Sequence, residues 1–258
     1  MKLDRTWLKV ERAVQHLEDL ERRIALIEEG IFTVSEQPDP ETNDRRWVLE
    51  GTDRSRHLLG VSMYGVIVGD VVHQLRSALD HVAWKLARPP IEGVTAFPVC
   101  LYKANTKGSF FGGRHSRAIG PDRLKNVPKA AFDYIESVQP YNRMGAADPL
   151  WQLNEMWNVD KHRTLIVIAN PTWNQPIAIA FPDDREAYPG EIKEAVSPEV
   201  LRLDANSDAT VILGNPGKVR VIFGSDIQAV AGKMVVPTIQ WILRYVHGLV
   251  FPGLEEFM

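Results

Sequence analysis

The sequence predicts an α+β fold, with helices first, then a small and mostly antiparallel sheet, then a closing helix. Two observations carry this. Apolar residues recur at three- and four-residue spacing through most of the first 164 positions, and short β-type runs separated by turn residues follow from 165 onward. That change of period also sets the expected organisation. Residues 1–164 form a helical bundle with a short β-hairpin insertion and a basic loop, and residues 165–258 form a β-rich part with its own helix, packed on the bundle as one unit.

The first element is a helix over 4–29, where Trp7, Val10, Val14, Leu17, Ile24 and Ile27 mark one face and Gly30 ends the pattern. Ile31 to Ser35 and Trp47 to Leu49 read as two short strands around the turn-rich Pro38-Asp-Pro40. Residues 58–87 hold the strongest helical pattern. At about 100° per residue, Val71, Leu75, Leu79, Val82 and Leu86 share one arc. Asp70, His73, Arg76, Ser77, Asp80, His81 and Trp84 occupy the opposite one. Gly65 and Gly69 would let a neighbouring backbone approach, and Pro89-Pro90 stops the helix.

Residues 103–129 read as a long, irregular, basic stretch around Gly108-Ser-Phe-Phe-Gly-Gly-Arg-His-Ser-Arg117. A short helix over about 129–138 comes next. Asp148-Pro149 then starts another that runs to about Arg163, with aspartate as N-cap and proline in the first turn. Strands are expected at Leu165–Ala169 and Ile177–Phe181. Thr210–Leu213 and Val219–Phe223 should form a hairpin across Gly-Asn-Pro-Gly, and Pro237 opens a final helix through about His247.

Composition narrows the function classes. The 258 residues are 45% hydrophobic with a formal net charge of −3, so nothing global advertises nucleic acid or an anionic membrane. The single cysteine, Cys100, excludes an intrachain disulfide and a multi-cysteine metal site, and its apolar setting reads as a buried structural thiol. Neither a secretory signal nor a membrane span is visible, so the expected location is cytoplasmic.

Two blocks carry a resemblance. Gly69-Asp-Val-Val-His-Gln-Leu-Arg-Ser-Ala-Leu-Asp-His-Val-Ala-Trp-Lys-Leu-Ala87 and Leu150-Trp-Gln-Leu-Asn-Glu-Met-Trp-Asn-Val-Asp-Lys-His-Arg163 resemble a widespread bacterial family with GDxxHxLRSALDH and NxxDKHR blocks. Phe97-Pro98 and Gln139-Pro140-Tyr141 lie between them, and the resemblance covers roughly residues 1–170. That family has no assigned activity, so the match implies a site without naming its reaction. Arg76-Ser-Ala-Leu-Asp-His81 is also similar to the R-x4-6-H motif of HEPN domains, helical bundles that are often dimeric and include metal-independent ribonucleases. This second resemblance implies Arg76 and His81 as catalytic residues, RNA as partner, and a homodimer. The motif lies inside a helix, and the C-terminal sheet departs from a simple HEPN bundle.

The residues themselves allow three chemistries. Metal-free RNA cleavage needs a base for the 2′-hydroxyl, an acid for the leaving oxygen and a cation for the phosphorane. His81, Arg76, and His162 or Lys161 suit these roles. A non-catalytic reading uses the same polar stripe for binding, with His73, Asp80, Asn158, Asp160 and Arg163 around it and Arg114 and Arg117 gripping a strand beside Phe110 and Phe111. A metal reading takes Asp70, His73, Asp80, His81, Asp160 and His162 as mixed imidazole and carboxylate ligands, though their spacing matches no known motif and no cofactor is assigned. The charges can instead pair with one another to tie helices together, Asp70 or Asp80 with Arg76 and Asp160 with Arg163 or Lys161.

Overall fold

Helix α2 (Val61–Leu86) is the axis on which the site is built. Val68, Val71, Val72, Leu75, Leu79, Val82 and Leu86 are buried along it, and each such side chain removed from water stabilises the fold by roughly 1.5–3 kcal/mol. The computed structural model describes residues 4–26, 32–51, 61–114, 116–171, 178–180, 186–187, 199–203, 206, 210–212 and 219–258. The predicted helix ends near Gly30 and Leu58, and the Gly-Asn-Pro-Gly turn, lie outside the described residues.

The architecture is α+β, and the chain divides into two interleaved units. One comprises Met1–Glu21, Ser62–Ile168 and Ile222–Met258, the other Arg22–Val61 and Ala169–Val221. The division is therefore not a cut at 164/165. The C-terminal helices belong with the bundle, because α6 (Val235–Tyr245) packs on α5 (Pro149–Asp160) and α7 (Phe251–Glu255) packs on α4 (Lys129–Ser137).

In the first unit, helix α1 (Asp4–Ala25) buries Val10, Ala13, Leu17 and Leu20. Its Trp7 ring meets His247 and Phe251 edge-on, with centroids 4.9 and 5.5 Å away, and its indole N–H donates to Glu255 at 3.2 Å. The two ends of this unit's chain thus pack together. Helix α5 starts as expected: the Asp148 carboxylate accepts from the Leu150 N–H at 2.9 Å, and Pro149 follows.

Two expectations are corrected here. The final helix does not stop at His247; a π-type turn (Val246–Val250) leads straight into α7. Pro252 falls in the first turn of α7, a position that tolerates its missing N–H. Nor is 103–129 a featureless loop. It contains the short helix α3 (Ile119–Arg123), and main-chain bonds fold it on itself: Phe110 N–H to Tyr102 O, Phe111 N–H to Lys103 O, and Gly120 N–H to Phe110 O. The Phe110 ring is completely buried against Phe132, Tyr141 and Gly120, so it cannot stack on a ligand. The glycines of this segment are there for fit. Gly112 adopts φ +69°, and any side chain at Gly120 would strike the Phe110 ring.

The second unit is mostly strand. Strands β1 (Phe32–Pro38) and β2 (Arg45–Gly51) pair antiparallel from Phe32 opposite Gly51 to Pro38 opposite Arg45. Asp39 closes the turn by accepting from the N–H groups of Glu41 and Thr42. Strand β6 (Glu199–Leu203) adds to the other edge of β2. Strand β4 (Ala178–Ala180) lies between β5 (Glu186–Ala187) and β7 (Thr210–Ile212). The hairpin expected between 210 and 223 is not formed among the described residues. There β7 pairs with β4, while β8 (Val219–Phe223) pairs with β3 (Val167–Pro171). No helix among the described residues is long and apolar enough to cross a membrane.

Candidate functional site

The two sequence blocks lie on facing, antiparallel stretches of α2 and its partner α5. Gly65 sits against the Leu165 carbonyl just past the end of α5, Gly69 against the Asp160 carboxylate, and Arg76 against the Trp157 ring. The glycines make this approach close. A Cβ at Gly69 would collide with Asp160, and one at Gly65 with the Leu165 oxygen.

At the inner end of this seam Arg76 is only 1% exposed. One guanidinium nitrogen donates to Asp80 Oδ1 at 2.6 Å and another to the Phe97 carbonyl at 2.7 Å, while the Phe97 N–H donates to the same Asp80 oxygen at 2.9 Å. The result is a closed knot that pins the extended segment after α2 onto the helix. Gln139 extends it by accepting from Cys100 N–H and donating to the Pro98 carbonyl, both at 3.0 Å. Phe97-Pro98 and Gln139-Pro140 are thus backbone anchor points tied to the first block. Burial lowers the Arg76 pKa, opposed by Asp80. Burial also pushes the Cys100 thiol up to about 11, which keeps it protonated and unreactive.

The outer end is different. The guanidinium carbon of Arg76 and the ammonium of Lys161 lie 4.8 and 2.9 Å from the centroid of the same Trp157 ring. Lys161 is exposed and Arg123 half-buried. Burial lowers the Lys161 pKa, and the nearby charges of Arg76 and Arg123 lower it further, with Asp80 the opposing carboxylate. One turn earlier on α2, Asp160 faces Asp70 and His73. Burial raises the Asp160 pKa first and the Asp70 charge second, and His73 opposes both.

The other predicted site residues are spread more widely. His81 lies five residues after Arg76, about 140° around the helix. It is exposed, and burial and then the Lys9 charge lower its pKa. His162, Arg163 and Asn158 are exposed, and Arg163 donates to the Asp226 carbonyl at 3.3 Å. Arg114 and Arg117 are exposed in the folded basic segment. Among the described residues, no group of three or more His, Cys, Asp or Glu side chains is arranged to hold a metal ion.

Two members of the outer cluster escape a sequence reading. Trp157 looks like a core aromatic at helical spacing, and Arg123 is one basic residue among many. Only the fold shows that both stand beside Arg76. The chain matches no protein-family model, no curated protein and no solved structure.

Proposed function

We propose that this chain binds RNA along the outer edge of the α2–α5 seam, as a HEPN-like, nucleic-acid-acting protein. The supporting observation is the convergence of two blocks about eighty residues apart in sequence onto facing helices, with Lys161 and Arg123 at the rim beside one carboxylate, Asp80. Guanidinium and ammonium groups held in mutual repulsion gain most from a phosphate arriving between them. Arg76 serves as the fixed base of this site, because its hydrogen bonds go to Asp80 and Phe97.

Cleavage is the second reading, and the arrangement at His73 favours a particular form of it. His73 lies on the Arg76 side of α2 and faces Asp160, a carboxylate that can orient an imidazole. His73 would then be the acid or base, in place of His81.

Fluorescence anisotropy with a labelled single-stranded RNA in about 50 mM salt tests the reading. We expect binding that weakens steeply with salt and at least tenfold loss in the double variant Lys161→Ala/Arg123→Ala. Folded wild-type protein that retains no RNA would overturn it. The same RNA incubated in EDTA reports cleavage. Activity lost in His73→Ala and kept in His81→Ala supports the second reading, and intact RNA rejects it.

A further inference from the structure

We infer that the Arg76–Arg123–Lys161 cluster is a binding site for a phosphate monoester dianion. The first support is charge count. Three cations and one carboxylate, Asp80, act on one another here, which leaves two positive charges uncompensated among the described residues. A phosphodiester within a strand carries one negative charge, whereas a terminal phosphate carries up to two, with a second ionisation near about pH 6.

The second support is geometry. The Asp80 and Phe97 bonds hold the Arg76 guanidinium in one orientation, so it is organised before any ligand arrives. Its Nε is buried without a hydrogen-bond partner. Trp157 brings the Lys161 ammonium to the same aromatic ring that Arg76 faces. A rigid buried guanidinium, a partly exposed second one and a mobile-stemmed ammonium together supply the forked and point-charge donors that three terminal oxygens use. The Asp160, Asp70 and His73 group stands outside this cluster and would repel an anion that strayed toward it.

The ligand could be a free phosphate or mononucleotide, or the phosphorylated end of an RNA strand. The last source rests on the RNA reading given above. Calorimetric titrations separate them, using inorganic phosphate, uridine 5′-monophosphate, and one RNA octamer carrying either a 5′-hydroxyl or a 5′-phosphate. We expect the phosphorylated octamer to bind at least tenfold tighter than its hydroxyl twin at pH 7.5, and the advantage to shrink as the monoester protonates toward pH 5. Arg123→Ala should reduce the advantage to threefold or less, and Arg123→Lys should restore part of it.

Equal affinity for both octamers overturns the dianion assignment and leaves the RNA reading standing. Binding of phosphate and the mononucleotide with neither octamer retained upholds the assignment and removes RNA as the source. Retention of no probe by folded protein rejects both. An Arg123→Ala variant that keeps the full advantage shows that the dianion sits elsewhere.

Discussion

The two ends of the α2–α5 seam use the same kinds of residue for opposite purposes. At the inner end, Arg76, Asp80 and the Phe97 backbone satisfy one another, and the arginine is 1% exposed. At the outer end, Lys161 and Arg123 repel each other beside a half-buried tryptophan. The difference is one of compensation. A charge surrounded by its hydrogen-bond partners fixes structure, and a charge left in excess recruits a ligand. Arg76 belongs to both ends, which makes it the residue through which a ligand would feel the rigidity of the core.

The largest expected effect comes from breaking the inner knot. Arg76→Ala removes one partner of a buried pair and frees both the Asp80 carboxylate and the Phe97 carbonyl. It should cost about 3–5 kcal/mol in urea unfolding. Asp80→Ala should destabilise less, because its side chain is 30% exposed and water can replace part of what is lost. If Arg76→Ala kept wild-type stability and lost only RNA binding, the contrast between the two ends would disappear.

Next comes the close approach that creates the seam. Gly69→Val pushes a branched side chain into the Asp160 carboxylate, and overpacking of this kind costs about 1–3 kcal/mol. The same variant should weaken RNA binding, because α5 must shift and carry Lys161 with it. A Gly69→Val protein with both properties unchanged would show that the two helices have slack the contact does not suggest.

How much of this could be read from the sequence depends on the residue. The polar arc of α2 is visible in the spacing, and Asp70, His73, His81 and Trp84 are exposed as that spacing predicts. Arg76 lies at the arc's edge, about 80° from Asp70's side toward the glycine face. Helical periodicity says nothing about a neighbour covering that edge. Gly65 and Gly69 were the readable sign that something comes close, though not that it is α5. The Asp148 cap and Pro149 start were local signals, and they hold because capping is a local interaction. The β7–β8 hairpin was a local inference that failed, since strand partners are chosen by packing far along the chain. Arg123 and Trp157 carry no local signal of their role at all.

A smaller effect tests the other end of α5. Asp148 is buried, with one carboxylate oxygen capping the helix and the other without a hydrogen-bond partner. Burial raises its pKa above the ordinary 3.8. The native state therefore binds more protons than the unfolded chain once the pH exceeds that value, so this group's stabilising share falls as pH climbs through its raised pKa. Asp148→Asn keeps the cap and removes the charge. Relative to wild type, it should gain stability as pH rises from about 4 to 7, in paired thermal melts. Asp148→Ala loses the cap and should cost about 1 kcal/mol. A constant difference between Asp148→Asn and wild type across that range would show that the carboxylate is already solvated.

The smallest expected effect separates the His81 and His73 readings most sharply. His81 is exposed and points away from the knot, so His81→Ala should change stability by no more than about 0.5 kcal/mol. Burial and Lys9 hold its pKa below the ordinary 6.5, so the native state sheds its proton at lower pH than the unfolded chain. Stability contributed by the neutral imidazole is present above 6.5 and lost as pH falls through the lowered value. Histidine proton NMR should therefore place the His81 midpoint below 6.5 and leave it unmoved when RNA is added, because its charged neighbours are Lys9, Lys85 and Asp80 rather than the rim cations. A His81 midpoint that shifts upward with RNA would put phosphate beside this imidazole and return the catalytic reading to the Arg76–His81 pair.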